Sequence, residues 1–391
     1  AMKACADLGD GWRLPTKEEL NILFENKDKI DFPRKSELYG EVHFLRAYYY
    51  FELVKLFGGV PLFTEGRLTA GDSATLERAT AAEVYAQIES DLQAAIAALP
   101  AAKSTDGRAT SFAAHALLGK VYLYQDKFDE AASILDPLIG VYTLVPNLAN
   151  VFLPSGENGP ESVFEVQHVK NSNWWDWGFP QGGEGNFGII HHGPRGYNGS
   201  VYTSGWSFNV PTQALYDAFE DGDSRRDVAI LDIQAWADQT GAEYTTGYEH
   251  TGYFNHKYIP RAGGTAAQGE LNHETNYRVI RYADVLLMAA EANNRKSTPD
   301  DAKALNLLNQ VRARAFGNNS KASSSTGATL TQEIWDERML EFAMEGHRFF
   351  DLVRTGQAAS KISGFVAGKH EVFPIPQTEI DISGLTQNPG Y

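Results

Sequence analysis

Apolar positions recur every three or four residues towards both ends of the chain and lose that period in the middle. In "SELYGEVHFLRAYYYFELVKLFGGVPL", Leu38, Val42, Leu45, Tyr49, Leu53 and Leu56 fall near helical spacing, and Gly58-Gly59 predicts the stop. Thr80 followed by Glu83 has the spacing of a capping box, so a second helix is expected from Thr80 to Leu99, ahead of Pro100. Residues 110–140 carry a more specific pattern: Ala114, Leu118-Gly119, Tyr122, Phe128 and Ala131 follow the tetratricopeptide alternation of small and large side chains. Small positions on one helix accept bulky ones from its partner. Two further helix pairs are expected late in the chain. One starts at about Tyr277 and continues through "DDAKALNLLNQVRARA"; the other is "LTQEIWDERMLEFAMEGHRFFDLVRTG".

Between them, 141–275 is rich in Gly, Asn, Trp and Tyr and has little helical period. A stretch this long without regular structure is usually functional when a compact scaffold carries it. Within it, "ESVFEVQHV" alternates as a short strand, and "NVPTQALYDAFE" predicts a helix with Pro211 in its first turn. The Ser-rich run near 318–330 is expected to be a flexible surface loop. Residues 1–35 stand apart. Thr16 and Glu19 are spaced as a capping box for a helix running towards Lys27, and "GWRLPT" resembles a motif of C-type-lectin-like and formylglycine-enzyme-like domains. This leader is too short to make such a domain. The chain therefore divides into 1–35, a first set of helix pairs at 36–140, a loop-rich region at 141–275, and closing helix pairs at 276–391.

Composition narrows the functional classes. With 43% apolar residues the 391-residue chain can bury a sizeable core, and no run reaches the roughly 18–20 apolar residues of a membrane span. A net charge of −16 with no local basic cluster argues against a nucleic-acid partner. Cys5 is the lone cysteine, which rules out an internal disulfide framework.

Seven stretches, in order from about residue 36 to the C-terminus, resemble the SusD/RagB-like outer-membrane nutrient-binding lipoproteins of Bacteroidetes. They are "FLRAYYYFELVKLFGGVPL", "GKVYLYQDKFDEAASILDPLI", "GWSFNVPTQALYDAFEDGDSRRD", "NYRVIRYADVLLMAAEANN", "LNQVRARA", "IWDERMLEFAMEGHRFFDLVRTG" and "FPIPQTEIDISGLTQNPGY". The resemblance implies a mainly α fold: a tetratricopeptide-like superhelix of about four helix pairs packed against a large loop-rich ligand-binding region. It further implies a non-catalytic, surface-exposed outer-membrane lipoprotein that captures oligosaccharides and passes them to a SusC-like TonB-dependent transporter, with no cofactor. The family's lipid-modified cysteine and N-terminal helical portion are replaced by residues 1–35, and Cys5 has no lipobox before it. The membrane anchor is thus not visible in this chain.

A sugar ring is bound by flat aromatic platforms together with Asn, Asp, Gln or Arg side chains that bond its hydroxyls. The best local match is "KNSNWWDWGFPQGGEGNF": Trp174, Trp175 and Trp177, with Asn173 and Asp176, and Asn171 and Gln181 beside them. Tyr197, Tyr202 and Tyr248 are secondary candidates, as are Trp236 and Tyr253, whereas Trp206 reads as core packing. The competing class is a tetratricopeptide scaffold binding peptides in its helical groove, or a family member taking a non-sugar nutrient. Catalysis finds little support. Glu345, His347, Arg348 and Asp351 cluster in sequence but fit a buried polar network joining helices. His191-His192 lacks partners at zinc spacing, and Asp217, Glu220, Asp221 and Asp223 do not fit a calcium loop, so no metal is expected.

Overall fold

The computed structural model describes residues 35–64, 77–102, 106–171, 184–247, 249–265 and 271–391. These residues are mainly helical, and the helices form pairs that stack in chain order. The first pair is α1 (Lys35–Phe57) and α2 (Ala81–Ala98), followed by α3 (Ser111–Leu123) and α4 (Phe128–Leu135). The capping box expected at Thr80 is present: its hydroxyl accepts from the Glu83 amide while Glu83 accepts from the Thr80 amide. α3 fits against α4 at Gly119, where a Cβ would lie 2.4 Å from Leu135 Cδ2, so only glycine permits this approach.

The chain then leaves the helical stack through strand β1 (Ser162–Val166) and enters a region of short elements: α5 (Ile189–His192), α6 (Gln213–Asp217), α7 (Arg225–Ala229), β2 (Ile230–Asp232), α8 (Ile233–Thr240) and β3 (Tyr253–Asn255). β2 and β3 pair antiparallel, Leu231 opposite Phe254. Thr212 is the N-cap of α6, accepting from Leu215, so Pro211 lies just before the helix and not in its first turn. Its locked φ makes the entry, while the hydroxyl next to it satisfies one of the free amides, that of Leu215.

The return to the stack differs from the sequence expectation. Tyr277–Arg281 forms β4, not the start of a helix, and pairs antiparallel with β1. Arg278, Ile280 and Arg281 are buried in that pairing, and the helix α9 begins only at Tyr282 (Tyr282–Arg295). α9 is buried nearly throughout, packed between α4, α10 (Asp301–Phe316) and α11 (Gly327–Glu341), and its buried polar residues are paired, Asp284 with Lys120 and Arg338 and Glu291 with Arg354. A last pair joins α11 to α12 (Arg348–Arg354) through Arg338 and Asp351, and α13 (Ala358–Lys361) and α14 (Gln377–Ser383) close the chain. The Ser-rich loop before α11 is tied down: Ser323 donates to Asn309 Oδ1 through its amide, and Ser325 Oγ donates to Glu333.

One apolar core runs through α1–α4, the β1–β4 pair and α9–α11, and three smaller clusters lie in the central region. What fastens that region to the stack is ionic. Arg281 Nη1 donates to Glu161 and Glu341, at 2.6 and 3.0 Å, and its Nε and Nη2 grip both oxygens of Glu345. Lys257 adds a 2.7 Å bond to Glu345, and Arg225 joins Asp223 to Glu337 and Glu341. Asp351 belongs to a neighbouring network with Arg338 and Arg354, itself bound to Glu291. The Glu345 and Asp351 cluster is therefore the helix-joining network that its sequence suggests.

Candidate functional site

The surface of the central region is built around α5, whose two histidines point into different surroundings. The turn after α5 runs beside residues 205–208, and backbone bonds lock the two segments together. Trp206 N donates to Ile190 O, Ser207 N to Gly193 O and Phe208 N to His191 O, at 2.8–2.9 Å. This demands glycine at the crossing, since a Cβ on Gly205 would lie 2.5 Å from Gly193 Cα. Ser207 and Asn209 both sit in the left-handed region, at φ 58° and 52°. Strain of about 1–3 kcal/mol per such residue persists only where the surroundings over-determine it. Its effect here is to turn Phe208 outward, half exposed.

On that frame four rings assemble. Phe187 stands edge-on to His191 (4.8 Å) and Trp206 (5.7 Å), His191 stands edge-on to Trp206 (4.9 Å), and His191 stacks on Phe208 at 5.9 Å and 30°. Arg195 holds this wall from the side: its Nε donates to Trp206 O and its guanidinium lies 5.6 Å from the Phe208 ring centre. Trp206 is only half-buried, so it is part of this wall and not simply core.

His192 faces the other way, into a cavity of about 220 Å³ lined by Asn186, Asn209, Tyr258, Tyr277 and the Met344–Gly346 turn. Its Nδ1 is buried with no hydrogen-bond partner. Burial, together with His191, lowers its pKa to about 4, so at neutral pH it is an uncharged imidazole with one free polar atom. Asn186 is fixed by bonds to Thr275 O and from Gly188 N. Glu345, the carboxylate at the cavity, is already engaged by Lys257 and Arg281. Such a site offers flat apolar faces and neutral donors and acceptors. It suits a neutral polyhydroxylated ring better than an ion.

Trp174, Trp175, Trp177, Asn173, Asp176, Gln181 and Tyr248 lie outside the described residues. Tyr197 and Tyr202 are placed inside, at 8% and 3% exposure, which corrects their reading as open platforms. Trp236 donates to the Tyr197 hydroxyl, and the Tyr202 hydroxyl meets His256 Nε2 at 2.8 Å. Arg261 lies over the Tyr202 ring, leaving no free face to stack on a sugar. Tyr253 stacks on Tyr216 at 4.6 Å and is likewise buried. Phe187, His191 and Phe208 escape the sequence argument, which counts Trp and Tyr and passes over an exposed Phe. Asp223 is bonded to Arg225 and Glu220 to Lys321, and no group of three or more His, Cys, Asp or Glu among the described residues is placed to hold a metal ion. A larger open groove lies between α4 and the α9–α10 connection, but its carboxylates are used internally: Asp129 by Ser297, Asp136 by Lys303, Asp301 by Gly327.

Comparison with known proteins agrees with this architecture. A sequence model of the SusD family matches residues 160–372. A second, described as starch-binding and associating with the outer membrane, matches 17–123 and so reaches back into the segment read as a separate leader. A SusD-like protein (P2) of Formosa agariphila is 28% identical over 379 residues, covering 90% of this chain and 74% of that protein. Among solved structures, a laminarin binding SusD-like protein superposes with a TM-score of 0.83 at 40% identity, covering 95% of this chain and 83% of the other. Surface glycan-binding protein A from Bacteroides thetaiotaomicron, in complex with laminarihexaose, gives 0.82 at 28% identity, covering 95% and 82%. With matched sequence over more than half its length and this fold throughout, the chain belongs to the SusD family.

Proposed function

We propose that this protein is a non-catalytic glycan-capture protein of the outer membrane that takes a laminarin-class oligosaccharide on the central aromatic wall and delivers it to a SusC-like TonB-dependent transporter. The observation that carries the reading is the half-exposed Phe208, set on strained backbone beside Trp206, His191 and Phe187, next to a cavity of neutral polar groups. The laminarin-related relatives support the ligand class, and family membership supports the outer-membrane setting and the transporter. Trp174, Trp175 and Trp177, with Asn173 and Asp176, precede Phe187 closely in sequence, and Tyr248 follows in the same region. We assign them as further ligand contacts. Tyr197 and Tyr202 serve beneath the surface as support for it.

Binding is tested by affinity gels carrying laminarin or starch and by calorimetry with laminarihexaose. Laminarin retardation of the parent is expected, with Phe208→Ala binding roughly thirty-fold more weakly, a loss of about 2 kcal/mol typical of a central aromatic contact. Single Trp174→Ala, Trp175→Ala and Trp177→Ala variants ask the same of the neighbouring loop. No retardation of the parent by any polysaccharide would sink the glycan reading. Full binding by Phe208→Ala would move the site away from this wall.

A further inference from the structure

Arg195 is exposed, yet its side chain is held in place. Its amide donates to Ser207 Oγ at 3.0 Å and its carbonyl accepts from the Thr245 amide at 2.8 Å. Its Nε donates to Trp206 O at 2.8 Å, which restrains the guanidinium beside the Phe208 ring. With 50 acidic residues against 34 Lys and Arg, a carboxylate is the readiest partner for an arginine in this chain, and Arg46, Arg108, Arg281 and Arg354 all have one. Arg195 has none among the described residues, and its two terminal nitrogens make no hydrogen bond there. The Nε bond leaves four of the five guanidinium N–H groups unused.

This is a donor fork set in advance at the edge of an aromatic platform. An exposed arginine normally gives up rotamer freedom when it binds, and one already restrained gives up less. The parallel N–H groups of the fork match two acceptor oxygens carried on neighbouring atoms. A carboxylate or sulfate would fit, but the chain's net charge of −16 repels anions. The neutral counterpart is a pair of hydroxyls on adjacent ring carbons. In a 1,3-linked glucan such as laminarin, no internal unit has such a pair free, because the linkage oxygen stands between its hydroxyls. The non-reducing end unit has three in a row. We infer that the Arg195 fork binds two adjacent hydroxyls of the sugar stacked on the Phe208 wall, so that this wall takes the non-reducing end of the chain. The inference rests on the glycan reading above and names which part of the glycan is read.

Periodate cleaves between carbons bearing adjacent free hydroxyls, so it opens the ends of a 1,3-linked chain and spares its interior. Calorimetry then compares three forms of laminarihexaose: untreated, reduced with borohydride to open the reducing end alone, and oxidised with periodate before reduction to open the other end too. The parent is expected to bind the first two alike and the third about ten-fold more weakly, the loss of a charge-assisted hydrogen-bonded pair. Arg195→Lys keeps the charge and the carbon stem but not the fork. It should bind untreated hexaose about ten-fold more weakly than the parent and lose nothing further on the oxidised form. Phe208→Ala should weaken all three and keep the ten-fold ratio. Equal binding of the three forms by the parent would overturn the inference and leave the glycan reading standing, whereas binding of none would overturn both. An Arg195→Lys variant that keeps the parent's ratio would return Arg195 to the scaffold. Tighter binding of polygalacturonate, falling steeply with salt, would make the fork an anion site instead.

Discussion

Arg281 shows what a single residue does here. It is 2% exposed, and its guanidinium reaches the carboxylates of Glu161, Glu341 and Glu345 and the carbonyl of Glu341. Burial disfavours its charge, but Glu345, Glu341 and Glu161 outweigh burial and hold its pKa well above the ordinary arginine value. Taking such ions out of water costs several kcal/mol each, repaid only when every lone pair and proton is used. Removing one partner is therefore far worse than never having had the group. Arg281→Met is expected to cost about 3–5 kcal/mol in chemical denaturation at neutral pH. Glu161, Glu341 and Glu345 then share only Arg314, Arg225 and Lys257, an excess of negative charge that protons relieve, so the gap from the parent should narrow as pH falls towards 5. A gap independent of pH would mean that lost packing, not lost charge, is the cause. At the surface the opposite holds: Phe208 is half exposed, and Phe208→Ala should leave the melting temperature within a degree or two while it weakens glycan binding. A large fall in melting temperature would return Phe208 to the scaffold.

At the scale of elements, the helix pairing turns on close fits that substitution can probe. Gly119→Ala in α3 gains about 1 kcal/mol of helix propensity. It also drives a methyl to 2.4 Å from two carbons of Leu135, which is fully buried and has nowhere to move. Overpacking of that kind costs about 1–3 kcal/mol, so the clash is expected to win and the variant to be less stable by thermal denaturation. A more stable variant would show that α4 can slide on α3. The small-against-large alternation at Gly119 was legible in the sequence because it is a local, periodic constraint, as was the capping box at Thr80. Tyr277–Arg281 was not, because a strand is defined by its partner, and β1 lies more than a hundred residues earlier. In α1, Leu38, Val42, Leu45, Tyr49 and Leu53 were visible as helical spacing but are exposed, because spacing alone does not say which of two faces meets the core; Phe44, Ala47, Phe51 and Val54 do. The site was legible only as a neighbourhood. Aromatic density marked the central loops, yet Tyr197 and Tyr202 are buried by packing on Ile233, Phe254 and Trp236, distant in sequence, and Phe208 is turned out between Ser207 and Asn209 at positive φ, which no composition announces.

Over the whole molecule, the ionic networks and the buried histidines together set how stability responds to acid, and their signs can be separated. His347 is pushed down to about 3, first by burial and then by Lys120, with Asp284 and Glu345 too weak to restore it. His192 is lowered to about 4, and burial lowers His256 as well. In the unfolded chain these groups take up protons near pH 6.5. The unfolded state thus binds more protons below that pH, and stability must fall as pH drops from about 6.5 towards the folded values, by at most about 1.4 kcal/mol per pH unit for each histidine. The carboxylates act lower. Burial works to raise Asp351, but Arg338 and Arg354 prevail and hold it at about 2, and Glu341 and Glu345 are likewise depressed by their arginine and lysine partners. Their contribution is complete above the unfolded carboxylate range near pH 4 and is lost as pH falls below it. Two windows follow, a histidine window from about 6.5 to 4 and a carboxylate window beneath it. Because the networks of Arg281, Arg225 and Lys257 join the central region to the helical stack, both windows should appear in a single unfolding transition. The net charge of −16 works the other way, since protonation relieves repulsion, but at 0.15 M salt exposed charges are screened beyond about 8 Å. Calorimetry from pH 7.5 to 3 at that salt, on the parent and on a His192→Gln, His347→Gln double variant, distinguishes the terms. The double variant should lose stability more slowly than the parent between pH 6.5 and 4 and in parallel with it below. Identical slopes in the upper window would mean that both imidazoles gain protons in the folded state at no cost, and that the acid response belongs to the carboxylates alone.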